Sequence, residues 1–229
     1  MFEWLYNPLY DSMILQGLSV TVEITLFGVL FGLLVGTLLA IGDLYGGKVA
    51  RGVIAVYVEF FRGSPLFVQL FIAVYAVPAL LSLVFPGIQI NHLLLAFLIF
   101  GLNSAGYQKG YMKGAMQTIL DDQMQAGLSV GMSKIQTLRH IILPQAYRIV
   151  IPSWTNEFCS LTKSTSTLAF VGITDLVSIG LTIRFQTFEI LPVWIVIGAI
   201  YLIWITGVSK LMDVIYERKK IPGVELLMQ

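Results

Sequence analysis

The chain has 229 residues, of which 57% are hydrophobic and only 12% are charged, and its mean hydropathy is +0.83. This composition excludes a water-soluble globular domain and is typical of a protein made of membrane-spanning helices, each about 20 residues long. The net charge of +1 gives no reason to expect a nucleic-acid partner, and the single cysteine excludes an internal disulfide or a cysteine-based metal site.

The first predicted span covers residues 13–42 and carries a regular row of small residues. Gly28, Gly32, Gly36 and Ala40 recur every four positions, which places them on one stripe of a helix. Such a stripe lets the backbone of a second helix approach closely, so we expect a helix–helix contact along it.

The second and third predicted spans, 53–81 and 92–112, share a long uncharged stretch. Residues 63–108 contain no Asp, Glu, Lys or Arg, which favours membrane helices on both sides of the break near Pro86. We expect Pro65 to kink the second span, because proline lacks a backbone N–H and clashes with the preceding helical turn.

A polar segment, residues 117–144, separates the third span from the fourth. We expect two short helices joined by a sharp turn at Gly131, where a side chain would hinder the backbone. The second of these helices is predicted over residues 134–142, and Pro144 is expected to stop or redirect the chain after it. On these residues alone, the segment is either a knob that another protein grips or an ordinary loop.

The fourth predicted span, residues 148–170, is unusually polar for a membrane helix. Its polar side chains step by three or four positions and therefore share one stripe: Ser153, Asn156, Glu157, Ser160, Lys163, Ser164 and Thr167. Polar groups that face lipid are costly, so the stripe should face the bundle interior or a water-filled cavity. A purely structural stripe, bonding helix to helix, is the alternative. Residues 172–189 are predicted to be a mixed loop, and residues 190–211 the last span.

Basic residues are distributed unevenly between the two predicted sides of the membrane. Eleven of them lie on the side that holds loop 117–144, whereas Arg184 lies on the opposite side. By the positive-inside rule, five spans then place the N-terminus outside the cell and the C-terminus, with the loop, in the cytoplasm.

The loop resembles a motif of a known family. Its order is Gln125-Ala126-Gly127, three residues, Gly131, nine residues, Ile141, one residue, and Leu143-Pro144. This spacing is similar to the Glu-Ala-Ala loop of the permease subunits of type I ABC importers. Two positions depart from the pattern, because Gln125 replaces the usual Glu and Gly127 replaces the second Ala.

Three further segments resemble the polar-amino-acid branch of these permeases: residues 57–69, 101–107 and 156–166. In the last segment, Ser164 stands where that branch more often has Asp, so no role for a carboxylate carries over to this position.

The resemblance implies an all-α permease with five transmembrane helices, and with cytoplasmic coupling helices between the third and fourth. The resemblance also implies that this permease lies in the inner (plasma) membrane of a prokaryote. This chain is expected to be no enzyme and to hold no cofactor or metal, since a dimer of separate ABC ATPase subunits binds ATP and Mg²⁺. A second permease subunit, identical or homologous, an extracytoplasmic amino-acid-binding protein and membrane lipid complete the partners. The residues expected to couple to the ATPase are Gln125, Ala126, Gly127, Gly131 and Pro144.

The polar stripe is the predicted path of a polar amino acid, with basic amino acids among the candidates. Both charges of the substrate need partners in a low-dielectric site. We expect Glu157 to meet a cationic group and Arg62 or Lys163 to meet the carboxylate. The alternative is that Glu157 and Lys163 neutralise each other, or that the cations pair with Glu23 or Glu59. The predicted path residues are Arg62, Gln69, Asn103, Tyr107, Asn156, Glu157, Ser160, Lys163 and Ser164.

Two other classes of function stay open at this point: an ATP-independent channel or carrier, and a membrane-embedded enzyme that uses Glu157, Lys163 and His92. No His-Glu-x-x-His motif is present to hold a metal, and His92 stands alone at the end of a predicted span. An ATPase that co-purifies with the chain would favour the importer, whereas turnover by the isolated chain would favour the others.

Overall fold

The computed structural model describes residues 3–87 and 89–220, which form a helical bundle without a strand in these ranges. The α-helices are α1 Pro8–Tyr45, α2 Lys48–Gly63, α3 Leu66–Phe71, α4 Val77–Val84, α5 His92–Gln117, α6 Leu120–Ser129, α7 Lys134–Thr137, α8 Leu143–Ile149, α9 Ile151–Ser164, α10 Leu176–Thr187 and α11 Ile190–Lys219. Two 3₁₀-helices, Glu3–Tyr6 and Thr165–Val171, and two π-helices, Ile72–Ala76 and Leu138–Ile142, connect them. The predicted all-α class is confirmed.

Three helical stretches in the described ranges are long and apolar enough to cross a membrane: Pro8–Tyr45, Leu66–Val84 and Ile190–Lys219. A fourth candidate is the pair Ile151–Val171 and Leu176–Thr187, which is bent by 52°. Helix α5 has 26 residues but carries several polar side chains inside the bundle, so composition alone does not mark it as a span. The number of five spans therefore stays a prediction, because it requires α5, the third predicted span in chain order, to cross the membrane as well.

Helices α1 and α5 pack against each other through the predicted stripe of small residues. Gly28, Gly32, Gly36 and Ala40 are all buried. A Cβ atom built on Gly32 would lie 2.7 Å from Oγ of Ser104, and one built on Gly36 would lie 2.9 Å from the backbone nitrogen of Lys109. The two backbones therefore approach more closely than any side chain would allow, as the stripe predicts.

We expect Gly36→Val to destabilise the bundle by about 1–3 kcal/mol, because a side chain that meets backbone forces α1 and α5 apart. Gly198→Val on α11 is the matched control, since a Cβ there has no neighbour within 4 Å. Thermal unfolding in detergent should show a lower midpoint for the first variant than for the second. Equal midpoints would contradict the proposed close packing.

The second predicted span, 53–81, is not one kinked helix. Helix α2 ends at Gly63, both Ser64 and Pro65 are extended, and the apolar span begins afresh at Leu66. The physical reason is that proline cannot donate a backbone hydrogen bond and also excludes the residue before it from the helical region. The expected kink is therefore a complete break.

Two other prolines are accommodated inside continuous helical segments. Pro78 and Pro144 each lie two positions after the end of a π-helix. The residue just before each proline closes the π-turn: the N–H of Val77 donates to the carbonyl of Ile72, and the N–H of Leu143 donates to the carbonyl of Leu138. Proline is tolerated in a first helical turn, where its missing N–H costs little. Of the two outcomes expected at Pro144, the stop is absent, since the helical backbone continues to Ile149.

Residues 172–189, predicted to be a mixed loop, contain helix α10. Gly172 has a left-handed φ of +74° and lies at the 52° bend of the chain, and Asp175 then caps the helix by accepting from the backbone N–H groups of Val177 and Ser178. Ile179 and Ile183 are buried in a cluster shared with α11. The cap and the apolar spacing were visible in the sequence, and they correct the earlier interpretation.

Candidate functional site

An open cavity of about 540 Å³ lies where three parts of the bundle meet: the break between α2 and α3, the middle of α5, and α9. Its lining is rich in polar side chains. The lining residues are Arg62, Gly63, Ser64, Pro65, Leu66, Asn103, Tyr107, Tyr111, Asn156, Glu157, Ser160, Leu161 and Ser164.

The break after α2 is held in shape by two buried amides. Gln69 Nε2 donates to the carbonyls of Phe61 and Ser64, both at 3.0 Å, and to Oγ of Ser64 at 2.8 Å. Asn103 Nδ2 donates to the same carbonyl of Phe61 at 2.9 Å and to Oε1 of Gln69 at 3.0 Å. These bonds fix the mouth of the cavity to α5.

Glu157 is the buried acid of the cavity, with only 5% of its surface exposed. Ser104 donates to its Oε1 at 2.7 Å, and Tyr111 lies 3.4 Å from its Oε2. Gln108 in turn donates to Oγ of Ser104 at 3.0 Å. Neutral donors therefore hold the carboxylate in place, and no cation within the described ranges pairs with it.

Arg62 supplies the positive charge of the same cavity. Its guanidinium carbon lies 5.2 Å from the ring centroid of Tyr107, a cation–π contact, and no ion pair is formed by Arg62 among the described residues. The cavity thus presents a carboxylate and a guanidinium that do not neutralise each other directly. Such a site has a partner for each end of a zwitterion.

The cavity brings together seven of the nine predicted path residues: Arg62, Asn103, Tyr107, Asn156, Glu157, Ser160 and Ser164. Gln69 lies behind the wall, where it shapes the break. Lys163 is exposed outside the cavity. Glu157 and Lys163, both described residues, form no ion pair with each other, so the alternative that they neutralise each other is wrong.

Two residues of the site escaped sequence reasoning. Tyr111 and Ser104 both hold Glu157, and both follow from the helical spacing of α5: Tyr111 comes four positions after Tyr107, and Ser104 comes seven before Tyr111. The periodicity of α5 places both on the face of Tyr107, but it does not show that they pair with Glu157 on α9.

The polar loop forms two helices that fold back on each other. Helix α6 ends at Ser129, Gly131 turns the chain with a φ of +84°, and Ser133 opens α7 with a capping box completed by Gln136. The sharp turn predicted at Gly131 is therefore present. Gln125, Ala126, Gly131 and Pro144 are exposed, as a contact surface requires.

Gly127 differs from the other four predicted coupling residues, because it is buried between the two short helices. A Cβ atom at this position would lie 2.5 Å from Oγ1 and Cγ2 of Thr137, which is itself fully buried. Its small size thus serves the packing of α6 on α7 and not an outer surface. The outer surface instead carries exposed apolar side chains at Leu128, Val130 and Ile135.

We expect Gly127→Ala to destabilise the loop by about 1–3 kcal/mol, because the new methyl group overlaps Thr137. The double variant Gly127→Ala with Thr137→Ala should recover part of this loss, whereas Gly114→Ala, where a Cβ has no neighbour within 4 Å, should be neutral. Hydrogen exchange of residues 120–142 is the measurement. A Gly127→Ala loop that is protected as well as the parent would refute the packing role.

Comparison with known proteins gives one family and several relatives. The family model described as binding-protein-dependent transport system inner membrane component matches residues 28–221. The glutamine transport system permease protein GlnP of Escherichia coli strain K12 is 29% identical over 220 residues, covering 96% of this chain and 99% of the relative. The arginine transport system permease protein ArgU of Corynebacterium glutamicum is 32% identical over 203 residues, covering 85% of this chain and 64% of the relative.

Solved structures share the fold. An amino acid ABC transporter crystallised with histidines has a TM-score of 0.81 at 27% identity, covering 95% of this chain and 99% of that chain. The MetNI methionine ABC transporter has a TM-score of 0.71 at 20% identity, covering 96% and 100%. The second likeness supports the fold alone.

Proposed function

The chain belongs to the inner-membrane components of binding-protein-dependent transport systems, as loop 117–144 predicts, and on that premise we propose that its cavity carries a polar amino acid. The observation that supports this proposal is the buried carboxylate of Glu157, which opens into the same cavity as the guanidinium of Arg62. Every amino acid brings an ammonium and a carboxylate, and each requires an opposite charge or strong hydrogen bonds in a site away from water.

In this proposal Glu157 receives the ammonium or a basic side chain, and Arg62 receives the carboxylate. Ser104 and Tyr111 keep the acid oriented without neutralising it, so its charge is available to the substrate. The hydroxyl and amide groups of Asn156, Ser160 and Ser164 on α9 then serve the polar side chain. Relatives named for glutamine and for arginine are consistent with this chemistry, since both substrates carry the same two charged groups.

We expect Glu157→Gln to lower uptake at least tenfold, with basic amino acids affected most, because the amide keeps one accepting oxygen, for the hydroxyl of Ser104, but loses the charge. Glu23→Gln on α1, an exposed carboxylate outside the cavity, is the matched control. The assay is radiolabelled uptake into vesicles that contain the permease, its ATPase and its binding protein. Unchanged uptake would remove Glu157 from the path, and loss of the assembled complex would make it structural.

The proposed energy source is ATP with Mg²⁺, bound by a separate pair of ATPase subunits on the cytoplasmic side. Loop 117–144 would transmit their closure to the bundle, with Leu128, Val130 and Ile135 as its apolar contact surface. A second permease copy or homologue, an extracytoplasmic binding protein and lipid complete the proposed assembly. The N-terminus is then outside and the C-terminus inside, in accordance with the distribution of basic residues.

We expect the double variant Val130→Ser with Ile135→Ser to weaken binding of the ATPase by about 2–4 kcal/mol, since both side chains, each 76% exposed, become buried on docking. Val49→Ser is the matched control, because Val49 on α2 is an equally open apolar residue, 81% exposed. Co-purification and ATP-driven uptake are both measured. Normal values of both in the double variant would refute docking at this surface.

A further inference from the structure

A second cavity of about 540 Å³, which shares no lining residue with the first, lies between the start of the α8–α9 segment and the end of α11. Four of its lining residues are basic, and they come from two separate parts of the sequence. The lining residues are Pro144, Tyr147, Arg148, Ile151, Trp154, Met212, Ile215, Arg218, Lys219 and Lys220.

The basic residues of this cavity are mostly without acidic partners. Lys220 pairs with Glu217 at 2.8 Å, whereas Arg148, Arg218 and Lys219 form no ion pair with any described residue. Among the described residues, the carboxylate of Glu217 is therefore the one acid that pairs with this group of four bases. Such an excess of positive charge around a cavity fits an anion better than a cation or a neutral solute.

The remaining wall is apolar and aromatic. Met212 and Ile215 belong to the helix that forms the last apolar span, and Tyr147 and Trp154 pack together with ring centroids 5.9 Å apart. Aromatic rings beside a span end are typical of the boundary between acyl chains and headgroups.

We propose that this cavity binds the phosphate headgroup of an anionic phospholipid of the cytoplasmic leaflet. Arg148, Arg218 and Lys219 hold the phosphate, while the first part of the acyl chains lies along Met212, Ile215 and Trp154. Basic pockets between membrane helices at the cytoplasmic face select such headgroups, and each cation near the surface raises the affinity roughly fivefold. A free phosphate shares the charge but leaves the apolar wall uncovered.

The site has a specific place in the transporter. Helix α8 and the loop helix α7 are joined only by the π-helix Leu138–Ile142, so a bound lipid would brace the segment through which the cytoplasmic loop reaches α9. The inference is independent of the substrate assigned to the first cavity, because the two cavities share no residue.

The test is quenching of tryptophan fluorescence in the complete transporter by brominated phosphatidylglycerol against brominated phosphatidylcholine. We expect stronger quenching by phosphatidylglycerol, and we expect Trp154→Phe to remove this preference. The triple variant Arg148→Gln, Arg218→Gln and Lys219→Gln should reduce the preference at least tenfold. Lys48→Gln with Arg51→Gln on α2 is the control of matched chemistry outside the cavity and should keep the preference.

Three results would overturn the proposal. Equal quenching by both lipids in the unmodified transporter, which needs no variant, would exclude headgroup selection. A preference that survives the triple variant, or the single variant Arg148→Gln if the triple does not assemble, would place the lipid elsewhere. Reversal of the quenching by inorganic phosphate alone would identify a site for free phosphate.

Discussion

The structure depends on one constraint: in lipid, every backbone group that leaves a helix needs a hydrogen-bond partner inside the protein. Pro65 breaks the helical ladder and frees the carbonyls of Phe61 and Ser64 within the bundle. The side-chain amide of Gln69 donates to both carbonyls, and that of Asn103 donates to the carbonyl of Phe61. The bundle therefore keeps an irregular, polar seam at this depth, and the cavity that holds Arg62 and Glu157 opens along that seam.

Much of the fold followed from patterns that act locally. The glycine stripe of α1 fixes its contact with α5 because only small residues permit that distance, and the turn at Gly131 follows from its backbone freedom. The break at Pro65 and the helix over residues 176–187 were harder, because hydropathy averages over both. A proline kink and a proline break look alike in sequence, and the surrounding donors decide between them.

The site was less predictable than the fold, for a physical reason. Helical spacing gives the stripe on α9, but which carboxylate meets which donor depends on the approach of α5 across the bundle. The pairing of Ser104 with Glu157 is a contact over 53 positions of sequence, and no local pattern contains it. The position of Lys163 was equally hard to predict: it belongs to the polar stripe of α9, but it is exposed and does not line the cavity.

The two π-helices have a geometric consequence for the segments that follow them. A π-turn holds one residue more than an α-turn, so all later side chains are advanced by one position, about 100° around the helix axis. Ala146 and Ile149 of α8 are buried in the core only with this offset after Leu138–Ile142. The extra residue thus sets the rotational position of α8 about its axis. Removing it would turn the apolar face of α8 away from the bundle that it now covers.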